Sequence, residues 1–123
     1  MKKAIERFIK AFECAVNGLI YAIKKERNLQ YHMIAAAFVT LAGFFFGLNV
    51  YEWSIIVLLF GVVMSTEIIN TAIETTVDLV TEEYHPLAKI AKDAAAAAVL
   101  VTAIAAVIIG LIIFVPKILQ WII

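Results

Sequence analysis

The sequence predicts an all-α integral membrane protein: an N-terminal amphipathic helix on the membrane surface, then three membrane-spanning helices. Three observations carry that expectation. Of 123 residues, 64% are hydrophobic and 16% charged, with a mean hydropathy of +0.99, far from the composition of a soluble globular domain. Three apolar runs, within residues 32–50, 53–80 and 86–115, approach or exceed the roughly 20 residues that a spanning helix needs. Residues 1–27 instead alternate charged and apolar side chains at helical spacing. The length suits one domain over residues 1–123. Zero formal net charge gives no case for nucleic acid, and the single Cys14 has no partner for an intramolecular disulfide. Met1 to Arg27 lacks the uninterrupted apolar core of a signal peptide, so no cleavage is expected.

From Lys2 to Lys25, apolar Ile5, Phe8, Ile9, Phe12, Val16, Leu19, Ile20 and Ile23 recur on one face, with Lys2, Lys3, Arg7, Lys10 and Lys24 among the residues opposite. A cationic face backed by an aromatic-containing apolar face suits the membrane interface and anionic head groups. A partner-binding or soluble core helix is the alternative reading of that pattern. Gly18 provides a bend or a close approach. At the junction Lys24-Lys25-Glu26-Arg27-Asn28, Glu26 reads on its own as a surface charge balanced by its neighbours. His32 reads as an interfacial polar residue, since no Cys/His set surrounds it. Met33 to Val50 carries no charge and forms the first span. Asn49, Tyr51 and Trp53 supply a short polar turn with interfacial aromatics, and the second span returns from near Trp53 to the interface near Ile73. The Thr81–His85 connection is hydrophilic, and Pro86 suits the first turn of the third span. Ala94 to Ala98 let helices approach closely. Pro116 and Lys117 are expected to end the third span, leaving Trp121 in an interfacial tail.

Seven Lys and Arg residues precede the first span, Lys89 and Lys92 lie between the second and third, and Lys117 alone falls on the opposite side. The positive-inside rule then places the N-terminus in the cytoplasm of a multi-pass plasma-membrane protein. The second span contains Glu67-Ile-Ile-Asn70-Thr-Ala-Ile-Glu74-Thr-Thr-Val-Asp78. Separations of 3, 4 and 4 residues put the four polar side chains on one stripe, about 16 Å long. An ionisable residue at membrane depth costs roughly 2.5–3.5 kcal/mol on insertion scales, so this stripe must face protein, water or a cation. Glu74 and Asp78 fall near the cytoplasmic surface, and Glu67 lies roughly 10 Å deeper.

Glu26, Glu74, the Glu83-Tyr84-His85 loop and Lys92-Asp93 therefore meet at one membrane surface. Carboxylates there suit Mg²⁺, which takes one or two from protein and the rest from phosphates and water. Lys and Arg suit polyphosphate oxygens. A deeper, partly desolvated carboxylate suits proton abstraction from a hydroxyl at head-group depth. The chemistry that unites these groups is phosphoryl transfer from a nucleotide to a lipid alcohol, a reaction that depends mainly on positioning and charge neutralisation. No Gly-x-x-x-x-Gly-Lys-Ser/Thr loop is present, so side chains must hold the nucleotide.

The acid run, with Glu83-Tyr84-His85 and Ala91-Lys92-Asp93 after it, closely resembles the small prokaryotic diacylglycerol kinase family, and the resemblance extends to Arg7 and the Glu26-Arg-Asn28 junction. It implies a homotrimer with composite active sites between subunits and MgATP-dependent phosphorylation of a lipid hydroxyl. By that resemblance Glu67 corresponds to the catalytic base, and Glu26 and Glu74 to the carboxylates that hold Mg²⁺ on ATP. Arg7, Glu83, Tyr84, His85, Lys92 and Asp93 fall where the family contacts nucleotide, together with Glu26 and Glu74. Asn70 and Asn28 fall with Glu67 on the lipid-substrate side. The Ala94–Ala98 run departs from the Met and the Gly or Ser that relatives carry there. The Glu26–His32 junction, Ala42-Gly-Phe-Phe-Phe and Ile112-Ile-Phe-Val-Pro116-Lys117 are similar to Gram-positive members, which implies undecaprenol as acceptor, with diacylglycerol as the alternative. Two other classes compete: an ion-coupled transporter, disfavoured because Gly and Pro do not interrupt the second span near the acids, and a non-catalytic assembly subunit whose polar stripe only fixes packing.

Overall fold

The computed structural model describes residues 1–123 as four α-helices in the order α1 Lys2–Lys25, α2 Arg27–Phe46, α3 Val50–Val80 and α4 Pro86–Ile122. The last three are long and apolar enough to cross a membrane, and the chain is an integral membrane protein. At about 1.5 Å per residue, α3 and α4 reach about 46 and 55 Å. Both exceed a hydrocarbon core of about 30 Å, so their polar ends project beyond it.

One residue separates α1 from α2. Glu26 adopts an extended backbone (φ −97°, ψ 113°) and serves as the C-cap of one helix and the N-cap of the next. Because the helix resumes at once, α2 begins at Arg27, several residues before the expected start at 32. It also ends early, at Phe46, where Gly47 takes the left-handed conformation (φ 66°) that closes the helix at little steric cost. Asn49 then opens α3 at Val50, ahead of the expected Trp53. Its side chain accepts from Tyr51 N and Glu52 N, while Glu52 Oε2 accepts from Asn49 N at 2.8 Å. At the start of α4, His85 Nδ1 accepts from Leu87 N at 3.2 Å, and Pro86 occupies the first turn.

The expected end of the third span at 115 is corrected by the structure. Helix α4 continues through Pro116 to Ile122. Proline removes one backbone donor, but its fixed φ is helical, and membrane helices tolerate the loss where neighbouring groups compensate. Of the two alternatives at Gly18, a bend or a close approach, the second is absent within the chain: a Cβ there would meet nothing within 4 Å.

Helices α3 and α4 form the closest pair, with α2 beside α3. A small core of Leu48, Ile56 and Ile113, flanked by Trp53, Phe46 and Phe114, closes the end where α2 turns into α3. Gly43 admits the Trp53 ring; a Cβ at 43 would stand 2.7 Å from it. On α1, Ala15, Gly18, Leu19 and Ala22 share a groove with Ile68, Thr71 and Thr75 of α3. The apolar face with Ile5, Phe8, Ile9 and Phe12 is left uncovered.

Candidate active site

Only three polar residues are buried in this chain, and all belong to one stretch of α3: Glu67 (2% exposed), Asn70 and Thr71. Glu67, Asn70 and the half-buried Glu74 line a cavity of about 420 Å³. The opposite wall is α2, which contributes Asn28, Tyr31 and His32 because its early start makes those residues three and four apart on one helical face. The third wall is α4, where Ala96 and Ala103 are small enough to leave room in front of the acids.

Within this cavity the polar groups are only partly satisfied. Asn70 Nδ2 donates to Glu74 Oε1 at 3.2 Å. His32 Nε2 lies 3.1 Å from Glu67 Oε1, but the contact is not aligned as a hydrogen bond, so Glu67 Oε1 and Asn70 Oδ1 are buried acceptors with no donor. Leaving such a group unpaired costs about 1–3 kcal/mol. Buried orphans of this kind mark strain, catalysis or the place of a water, ion or ligand. The neighbouring Thr71 hydroxyl gives no relief, since it donates to the Glu67 backbone carbonyl at 3.0 Å.

The remaining predicted residues are placed differently. Glu26 sits at the α1–α2 break and does not line the cavity. Lys92 pairs with Asp78, one turn of α3 beyond Glu74, and Asp93 pairs with Lys89. Adjacent in sequence, Lys92 and Asp93 thus engage different partners. Glu83, Tyr84 and His85 are exposed in the α3–α4 connection, and Tyr84 is 81% exposed. Arg7 lies on exposed α1, 18 residues before Lys25 and so about 27 Å along the helix. Its own chain does not bring it to the cavity. Lys25 Nζ, a cation the sequence did not single out, approaches Thr75 Oγ1 at 3.4 Å.

No three of His, Cys, Asp and Glu converge as a protein cage for a metal. Two carboxylates at the acid end, Glu26 and Glu74, do match a hard cation that arrives on a polyphosphate and takes most of its oxygens from phosphate and water.

Residues 13–114 match the family model described as prokaryotic diacylglycerol kinase. The chain belongs to that family. It is a lipid kinase, and ATP and a lipid are its substrates. Among relatives, it is 51% identical over 116 residues to the undecaprenol kinase of Bacillus subtilis, covering 94% of both chains. It is 41% identical over 111 residues to a diacylglycerol kinase of Synechocystis, covering 89% of this chain and 63% of that protein. A diacylglycerol kinase of Escherichia coli matches at 54% identity over 46 residues, 37% of this chain and 38% of the other. Membership in a kinase family removes the transporter and assembly-subunit readings. The cavity also contains Tyr31, to which the sequence pattern assigns no role, and His32, to which it assigns only that of an interfacial polar residue. The available signal was their spacing from Asn28, visible only once α2 is extended back to Arg27.

Proposed function

We propose that this chain forms one membrane kinase domain over residues 1–123 and transfers the γ-phosphoryl group of MgATP to the hydroxyl of undecaprenol. The observation that carries the reading is Glu67: an acid on a membrane helix, almost wholly buried, that lines a polar cavity. In this reaction the lipid hydroxyl gives its proton to Glu67 as its oxygen attacks the γ-phosphorus, and ADP departs. Glu67 then acts where charge changes, consistent with a general base within reach of the reacting hydroxyl. Asn70 holds Glu74 by its amide and keeps its own carbonyl oxygen for the lipid head, with Asn28 on the facing helix.

Glu26 and Glu74 would hold Mg²⁺ on the nucleotide, and the cation would supply neutralisation of phosphate charge in the transition state. Lys92 and Arg7 are assigned to the phosphate oxygens, and Glu83, Tyr84, His85 and Asp93 to the rest of the nucleotide. Arg7 is too far along α1 to serve its own chain's cavity, which supports a homotrimer with sites shared between subunits. In the plasma membrane, the clustering of Lys and Arg on α1 and its junction orients the acid end to the cytoplasm.

Undecaprenol is favoured over diacylglycerol by the 51% identity to the Bacillus subtilis enzyme over 94% of both chains. The deciding experiment presents both lipids in parallel, with γ-labelled ATP and Mg²⁺, in mixed micelles. Preferential formation of undecaprenyl phosphate is expected. Preferential formation of phosphatidic acid would keep the kinase and overturn the acceptor.

A further inference from the structure

The imidazole beside the buried acid has no part in the reaction as described. His32 stands on the second turn of α2 with its side chain 28% exposed and Nε2 3.1 Å from Glu67 Oε1. It lines two cavities at once. One is the acid cavity; the other, about 410 Å³, is almost wholly apolar and runs between α2, α3 and α4 from Ala35 to Phe114. His32 and Ala103 are the two residues common to both linings. His32 thus stands where the apolar cavity adjoins the acid one.

Two neighbouring side chains on α3 direct donors elsewhere. Asn70 Nδ2 donates to Glu74, and Thr71 Oγ1 donates to a backbone carbonyl. Glu67 Oε1 has no hydrogen bond, and His32 is the one side chain at donor distance from it. A carboxylate that must present one oxygen to an incoming hydroxyl gains from having the other fixed, since a reacting group loses rate when it is free to turn away.

We propose that His32 is a positioning residue for Glu67: it donates from Nε2 to Oε1 and leaves the second carboxylate oxygen for the hydroxyl proton. The contact already has the required length. The assignment rests on Glu67 being the base. His32 touches neither phosphate nor metal and acts only through the acid.

The test measures kcat, and KM for MgATP and for lipid separately, in His32→Ala and His32→Gln, each in the parent and in Glu67→Asp. His32→Ala should lower kcat at least about tenfold, the size of one lost hydrogen bond to a charged group, with KM for MgATP within about twofold. His32→Gln should recover most of the rate, because its amide nitrogen reaches nearly the same point as Nε2 and donates likewise. In Glu67→Asp, where the carboxylate is withdrawn by one methylene, His32→Ala should cost far less than tenfold. His32→Leu stands in for Ala should the smaller side chain yield no folded protein. Unchanged kcat in His32→Ala, equal loss in Ala and Gln, or an undiminished penalty in Glu67→Asp would each overturn the proposal. Glu67→Gln separates this from the underlying reading: full turnover there removes the base itself, whereas an inactive Glu67→Gln beside a fully active His32→Ala removes only the role of His32.

Discussion

The two ends of the helical bundle treat buried and half-buried polarity in opposite ways. At the end where α2 turns into α3, Glu52 Oε2 accepts from Asn49 N and forms an ion pair with Lys117 Nζ at 3.0 Å, so the start of α3 is tied to the far end of α4. Leu48, Ile56 and Ile113 pack beneath, and Phe44 lies 4.9 Å from Trp53 between ring centroids. The acid end instead leaves Glu67 and Asn70 with unpaired oxygens beside a cavity walled by Asn28, Tyr31 and His32 of α2 and by Ala96, Val99, Leu100 and Ala103 of α4. One end is completed by its own side chains, the other by what it binds. Packing and chemistry are thereby assigned to different parts of the same helices, and a substitution should affect one without the other.

The strongest way to sharpen that contrast is Glu67→Gln. Turnover should fall about a thousandfold, within the range of a lost general base, while thermal unfolding in detergent occurs no lower than in the parent, because a buried charge has been removed. Asn70→Leu should lower turnover about thirtyfold, as expected when a carboxylate loses a hydrogen bond worth about 2 kcal/mol. The Mg²⁺ concentration for half-maximal activity should rise with it, since Glu74 loses its donor. At the other end, Gly43→Ala should destabilise the bundle by about 1–3 kcal/mol through forced displacement of Trp53, with turnover per folded molecule unchanged. Loss of turnover in Gly43→Ala without loss of stability would break the division. The smallest effect belongs to Thr102→Val, which removes the 3.0 Å hydroxyl contact with Thr66 between α4 and α3. About 0.6 kcal/mol is expected from equilibrium unfolding, the average for such bonds between membrane helices.

Much of this architecture was legible in the residues because membranes restrict the choices. The apolar runs, the Asn49 turn, Pro86 and the acid stripe each predict an element that the structure contains. The errors have common physical causes. Charge before Met33 suggested a connection, yet a helix tolerates Arg27, Asn28 and Gln30 where it leaves the hydrocarbon, and a single extended residue at Glu26 suffices to separate two helices. Pro116 reads as a stop because it lacks a donor, but one missing bond does not end a helix of 37 residues. At the site, the stripe Glu67, Asn70 and Glu74 follows from periodicity alone, whereas the convergence of Asn28, Tyr31 and His32 on it depends on where α2 begins and how α2 meets α3. Sequence spacing carries the first kind of information and not the second.

The hydroxyls that accompany the acid stripe have a chemical consequence. Thr66, Thr71, Thr75 and Thr76 each donate to a backbone carbonyl of the preceding turn, at 2.7–3.1 Å. An alcohol so engaged gives its proton to the backbone rather than to the Glu67 carboxylate and has its oxygen held against the helix, which makes it a poor phosphoryl acceptor. A catalyst that activates alcohols, yet carries several of its own within a turn or two of its base, is by this arrangement insulated against phosphorylating itself.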